Sequence, residues 1–194
     1  MLNSYIQRLI DIFAQLPNLS ENNARKIVLS LLNKSKGILH ILTQVENKLS
    51  LCLCGNIDEL INNQCTLCNK KNNEKILIIL SLNDLFTLEN SGIYEGQYHI
   101  VCNHNISLTN LRIDELITRI KNTHTKEIIF ALSHHYLSST IEKFICKQLK
   151  QFTNLKITKI QTGVPVGSNL NNENESTLKA ALLSRQEISN NFHI

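Results

Sequence analysis

Residues 51 to 69 constrain the chain most. Four of its six cysteines, Cys52, Cys54, Cys65 and Cys68, fall in this stretch, with Gly55 directly after the first pair. Four thiolates brought together by two tight turns form a soft, tetrahedral site suited to Zn²⁺, and a site with four protein ligands is closed and structural, not catalytic. Cys65-x-x-Cys68 has ordinary zinc-knuckle spacing, whereas Cys52-x-Cys54 demands a tighter turn. The expectation is one structural zinc ion per chain on these four residues. The alternative is a metal-free knuckle whose reduced cysteines pack as small apolar groups.

A length of 194 residues accommodates one large domain or two small ones, and the cysteine cluster favours division. Hydrophobic content of 42% and charge of 19% are those of a globular protein. The start of the chain lacks the basic, apolar and small-residue segments of a secretory signal, and the apolar run Ile76–Leu80 is too short to span a bilayer. The expected location is therefore the cytoplasm, where thiols stay reduced and the cluster holds metal, not disulfides. Residues 1 to 75 carry nine Lys and Arg against six Asp and Glu, while residues 76 to 194 carry eleven against ten. This modest basic excess permits contact with nucleic acid without requiring it.

Leu2, Ile6, Leu9, Ile10, Phe13 and Leu16 recur at helical spacing, and Pro17 stops that helix. Ala24, Ile27, Val28, Leu31 and Leu32 form a second stripe, so residues 16 to 23 read as the turn of a helical hairpin. Ile38, Leu39, Ile41, Leu42, Val45 and Leu49 mark a third helix. Such a hairpin can meet phosphate with the N–H groups of a helix start and with nearby cations, here Arg25 and Lys26; the plainer reading is a helical hairpin with a solvated basic pair. Beyond Lys70-Lys71 the pattern changes. Ile76–Leu80, Tyr98–Cys102, Glu127–Leu132 and Leu155–Ile160 read as strands, with helices at Leu111–Ile120 and Ser139–Leu149, the latter opened by a capping box of Ser139 and Glu142. Alternating strands and helices predict a largely parallel sheet. Gly163-Val-Pro-Val-Gly167 has no Lys-Ser or Lys-Thr after it and is not a nucleotide-binding P-loop.

Helical hairpin, four-cysteine knuckle, small α/β part and Gly163-Val-Pro-Val-Gly167, in that order, resemble the bacterial recombination mediator family RecR over nearly the whole chain. The firmest pieces are Gly92-x-Tyr-x-Gly-x-Tyr-His99, Glu127-Ile-Ile-x-Ala131, Gly163-Val-Pro-Val-Gly167 and Thr177-Leu-x-x-Ala-Leu182 with Arg185. The resemblance implies an α+β protein with a helix-hairpin-helix at residues 1–51, a zinc knuckle at 52–71, an α/β Toprim-like part at 72–185 and a tail at 186–194. It implies a homo-oligomeric ring or clamp around DNA, working with RecO, and in some settings RecF, to place RecA on single-stranded gaps, without catalysis and without a membrane. In this sequence Asn18 and Ser20 stand in place of the hairpin glycines, Asn22 in place of its lysine and Lys26 in place of its arginine. At the knuckle, Leu51 lies where the first cysteine would fall.

Catalytic Toprim proteins converge a glutamate and aspartates on Mg²⁺, a hard ion that demands oxygen ligands. Leu80 ends the first strand instead, and Ser133, His134 and His135 follow the third. Asp84 reads as a helix cap, Glu89 as a solvated face and His134-His135 as a surface loop. A Toprim nuclease is thus disfavoured. The remaining alternative to a DNA-clamping mediator is a scaffold that keeps partner contacts but no longer binds DNA. Arg25 and Lys26 are the leading DNA-contact candidates, with Arg8 and Lys34 secondary.

Overall fold

The computed structural model describes residues 3–33, 35–102, 108–132, 137–160 and 175–187. Two compact units divide the chain, Met1–Leu49 and Ser50–Ile194.

The first unit is helical: α1 (Ser4–Ala14), α2 (Glu21–Asn33) and α3 (Ser35–Lys48). The side chain of Asn3 caps α1 by accepting the Tyr5 N–H at 3.0 Å. The helix ends at Ala14, ahead of Pro17, because the residue before a proline is driven out of the helical region. Ile10, Ala24 and Val28 are buried and form its centre, with Ile6, Phe13 and Leu19 packed around them. The expected apolar stripes are only partly covered: Leu16, Leu32, Ile41, Leu42 and Val45 are all exposed. Three short helices have too little mutual surface to bury them all. Leu2 lies outside the described residues.

The second unit opens with the cysteine stretch, in which β1 (Ser50–Leu51) pairs antiparallel with β2 (Ile57–Asp58) and α4 (Thr66–Lys70) follows. A five-stranded sheet comes next, built from β3 (Asn72–Ile79), β4 (Gly96–Ile100), β5 (Glu127–Phe130), β6 (Lys156–Lys159) and β7 (Gln186–Glu187) in the order β4-β3-β5-β6-β7. The first four run parallel and β7 adds an antiparallel edge. The expectation of a largely parallel sheet holds, and the fold is α+β with eight α-helices among the described residues.

Side chains alternate across the sheet as strand geometry requires. Ile76, Ile78, Ile128 and Phe130 face α6 (Ile113–Asn122) and α7 (Ser138–Leu149), meeting Leu116, Ile120, Ile141, Ile145 and Leu149. Leu77, Ile79 and Ile129 face the other way, onto Leu85 and Leu88 of α5 (Leu82–Ser91) and onto Leu182 of α8 (Glu175–Leu183). With both faces covered, the strands read as near-continuous apolar runs.

Two expectations are corrected. The capping box is not at Ser139 and Glu142: α7 begins at Ser138 with Leu137 as its cap, which leaves Ser139 inside the first turn. It lies instead at the head of α5, where Ser81 has extended backbone and its hydroxyl accepts the Asp84 N–H, while the Asp84 carboxylate accepts the Ser81 N–H at 3.0 Å. Glu89, expected on a solvated face, is half-buried and ion-paired with Lys71 at 3.1 Å.

Gly96 is fixed by packing. A Cβ there would lie 2.3 Å from the Tyr94 hydroxyl and 2.8 Å from the Lys75 carbonyl, whereas nothing lies within 4 Å of a Cβ at Gly37 in α3. Gly96→Ala should therefore cost about 1–3 kcal/mol through overpacking. Gly37→Ala should stabilise its helix by about 0.5–1 kcal/mol. Urea unfolding followed by circular dichroism checks both, and a neutral Gly96→Ala would contradict the packing described.

Candidate metal centre

The first pair of cysteines sits in the turn between β1 and β2. The Gly55 N–H donates to the Cys52 carbonyl at 2.9 Å and the Cys52 N–H to the Asn56 carbonyl at 2.8 Å, closing a turn tight enough for Cys-x-Cys. Gly55 has φ +91°, and a Cβ on it would meet the Ile100 Cβ at 2.7 Å, so glycine is required here for conformation and for space. The second pair is presented by a hairpin. Asn62 and Asn63 both have positive φ and Ile61 exchanges backbone hydrogen bonds with Gln64 at 2.9 and 3.1 Å, the two-residue turn that asparagine tolerates. Cys65 then caps α4, and the Asp58 carboxylate receives the Thr66 N–H at 2.9 Å.

These turns gather Cys52, Cys54, Cys65 and Cys68 so that their sulfurs all lie within 4.8 Å of one another. Cys54 and Cys65 sulfurs are 3.6 Å apart. A zinc ion about 2.3 Å from each sulfur sets sulfur–sulfur edges of roughly 3.8 Å, so the donor set and its spacing fit a tetrahedral tetrathiolate. Backbone N–H groups already point at the sulfurs, Asn56 to Cys54 and Cys65 to Cys52, each at 3.4 Å. All four residues are buried.

The knuckle is joined to the sheet by a buried polar lattice. The Ile100 N–H at the end of β4 donates to the Cys54 carbonyl at 2.8 Å. Gln97 donates to the Cys68 carbonyl at 2.8 Å and accepts from Arg119 at 2.7 Å. Arg119 also donates to the Tyr98 carbonyl at 2.6 Å, and its guanidinium lies 3.6 Å from the Cys68 sulfur. Arg112 donates to the Cys52 carbonyl at 3.1 Å. His99, fully buried, donates from Nε2 to the Arg112 carbonyl at 2.7 Å and accepts at Nδ1 from Arg119 at 3.3 Å. Burial first, and Arg119 second, push its pKa down to about 3, so it is the neutral Nε2–H tautomer. None of these four residues is evident from spacing alone. The one available signal is Arg119, a cation between the buried Leu116 and Ile120 on the core face of α6.

The cationic candidates lie elsewhere. Arg8 is exposed on α1, and Arg25 and Lys26 are exposed near the start of α2. Arg25 is engaged by Glu21 one turn earlier at 3.2 Å. Lys34 lies outside the described residues. Asn18, in the hairpin turn, has φ +63°, the left-handed conformation that asparagine reaches at small cost. Ser20 accepts the Asn23 N–H at 3.4 Å at the head of α2.

No second group of three or more His, Cys, Asp or Glu ligands exists among the described residues. Asp84 is buried in its capping box, where desolvation raises its pKa. Leu80 is buried at the end of β3. His134, His135 and Gly163-Val-Pro-Val-Gly167 lie outside the described residues. Glu127 and Arg185 form a part-buried pair at 3.0 Å, which holds the Glu127 carboxyl below its usual range despite burial.

No protein-family model matches the chain. Curated relatives match it nearly end to end. A protein named recombination protein RecR from Bifidobacterium adolescentis is 33% identical over 195 residues, covering 94% of this chain and 96% of that protein. The proteins of the same name from Rickettsia bellii and Rickettsia canadensis are each 34% identical, covering 95% and 93% of this chain and 96% of each relative. Similarity of this extent, together with the four-cysteine cluster and the parallel sheet, makes the chain a member of the RecR family of recombination proteins.

Proposed function

We propose that this chain is a DNA-clamping recombination mediator, held in shape by a structural zinc ion and acting with RecO, and in some settings RecF, to place RecA at single-stranded gaps. The observation that carries the reading is the match to recombination proteins over more than nine-tenths of the chain. In this reading Cys52, Cys54, Cys65 and Cys68 hold one zinc ion. The ion supplies a covalent-like staple between the two turns of the knuckle and no chemistry. The residues of the chain position DNA and partners, and do not break bonds. No helix among the described residues is long and apolar enough to cross a membrane.

DNA contact is assigned to Arg25 and Lys26, with Arg8 and Lys34 as secondary candidates. Support comes from the exposure of Arg8, Arg25 and Lys26 and from a helix start whose N–H groups suit phosphate. Few cations per chain bind weakly, so affinity depends on several chains gripping one strand or duplex.

Three outcomes are expected. Purified protein carries one zinc per chain, and chelation under reducing conditions lowers its melting temperature by at least about 5 °C, while Cys102→Ala and Cys146→Ala keep their metal. An unchanged melting temperature after complete stripping would defeat the zinc assignment.

DNA binding is indifferent to sequence and weakens with salt, with a log–log slope of roughly 0.7 to 0.9 per phosphate contact. Replacing Arg25 and Lys26 together by Ala flattens that slope while secondary structure and mass in solution stay as in the parent. If the double variant binds like the parent at every salt concentration, the hairpin is not the DNA site. A parent that binds no DNA supports the scaffold reading.

Incubation with nicked, gapped and single-stranded DNA in Mg²⁺ or Mn²⁺ leaves every strand intact. Cleavage that copurifies with the chain and disappears in Asp84→Asn would replace the mediator by a metal-dependent nuclease.

A further inference from the structure

Arg119 is 6% exposed, and a guanidinium keeps its charge under all ordinary conditions. A buried cation must be compensated, and its partners here are a main-chain carbonyl of Tyr98, the side-chain oxygen of Gln97, the neutral Nδ1 of His99 and the sulfur of Cys68. Among the described residues it has no carboxylate partner. Three of the four contacts are uncharged dipoles. The fourth is the one group that can carry negative charge, and it lies at 3.6 Å.

A divalent ion held by four thiolates retains two negative charges, which a buried site leaves unsolvated. The guanidinium sits against one corner of that tetrahedron, oriented by bonds of 2.6 and 2.7 Å to groups on β4. A cleft of about 100 Å³ opens beside it, lined by Cys52, Cys68, Gln64, Gln97, Arg119 and Asn122. A small chelator reaching the sulfurs by this route meets Arg119 on the way.

We infer that Arg119 is the counter-charge of the metal centre, a positioning residue that offsets the charge of the tetrathiolate at Cys68 and thereby sets how firmly the ion is kept. The inference rests on the zinc reading above and adds to it a residue outside the ligand set. It also explains why a charged side chain occupies a core position of α6: polar groups of β4 hold the guanidinium against the Cys68 sulfur of the knuckle.

The test uses the full-length zinc-loaded protein with Arg119→Gln, which removes the charge, and Arg119→Lys, which keeps it without the planar fork. Metal transfer to an excess of a chromogenic chelator is timed, and the sulfur-to-metal charge-transfer band is recorded after cobalt substitution. Loss of such an outer partner typically weakens metal sites by about 10- to 100-fold. Arg119→Gln is expected to release zinc about tenfold faster or more and to move the cobalt band to longer wavelength, because an uncompensated thiolate is more electron-rich. Arg119→Lys should fall between Arg119→Gln and the parent. Folded Arg119→Gln protein that releases zinc at the parent rate with an unmoved band overturns the inference while leaving the zinc site standing. A parent that takes up neither zinc nor cobalt overturns the zinc reading itself and the inference with it. Should Arg119→Gln not fold, Arg119→Lys carries the test alone: faster release with the cobalt band at longer wavelength supports the role, and release at the parent rate with an unmoved band overturns it.

Discussion

The knuckle and the sheet meet through buried main-chain carbonyls and a few side chains that satisfy them. The carbonyls of Cys52, Cys54 and Cys68 are all taken up by groups of the α/β part, namely Arg112, the Ile100 N–H and Gln97. The knuckle buries little apolar surface of its own: apart from its four cysteines, only Leu60 and Leu67 pack on its centre, while Leu51, Leu53, Ile57 and Ile61 are exposed. Its orientation is set by hydrogen bonds, which are directional, by Leu67, which packs against the core on the α5 side of the sheet, and by the sulfur cluster, which makes its two turns one body. Breaking the hydrogen bonds or the cluster would leave buried polar groups unpaired at about 1–3 kcal/mol each. The placement of the knuckle thus depends largely on contacts that hydrophobic patterning does not encode.

That dependence marks the boundary of what could be read from the residues. Ile76–Leu80 and Glu127–Leu132 were legible as strands because a parallel strand covered on both faces needs an unbroken apolar run. The true start of β3 at Asn72 and of β4 at Gly96 was not, since Asn72, Asn73, Glu74, Gly96 and Gln97 have poor strand preference and are placed by tertiary contacts. The cluster of four thiols was legible because ligand spacing is local. Arg119 lies 51 residues from Cys68, and no local pattern joins them. The capping box expected at Ser139 and the one found at Ser81 show the same limit. Ser81 and Ser139 both precede an acidic residue by three positions, and only the backbone entering the helix, extended at Ser81 but already helical around Leu137, decides which can cap.

Several residues that carried the family resemblance are explained by packing. Tyr94 and Tyr98 stack edge to face with centroids 5.2 Å apart, Gly96 makes room for the Tyr94 ring, and His99 is wired to both arginines. Glu127 at the head of β5 receives Arg185 and the Thr158 hydroxyl, which fastens the chain after α8, where Leu178 and Ala181 are buried, to the centre of the sheet. A carboxylate so occupied is unavailable as a hard-metal ligand. These motif residues hold the sheet, the knuckle and the chain after α8 together.

The hairpin raises the opposite question, since Asn18 and Ser20 stand where the family resemblance would place glycines. Asn18 takes φ +63° itself, and Ser20 contributes a hydroxyl to the head of α2. What glycine supplies beyond conformation is bareness, which lets a phosphate approach the main chain closely; the Asn18 side chain gives that up. Binding through such a hairpin then leans less on backbone N–H groups and more on side-chain charge. Part of that charge is already spent, because Arg25 is paired with Glu21, although an exposed pair one helical turn apart is worth only about 0.3–0.5 kcal/mol and yields readily to phosphate. In the proposed reading Lys26, exposed and compact in charge, would carry the larger share of the contact, and with a net charge of +4 over 194 residues the affinity proposed for this site would rest on several chains gripping one DNA.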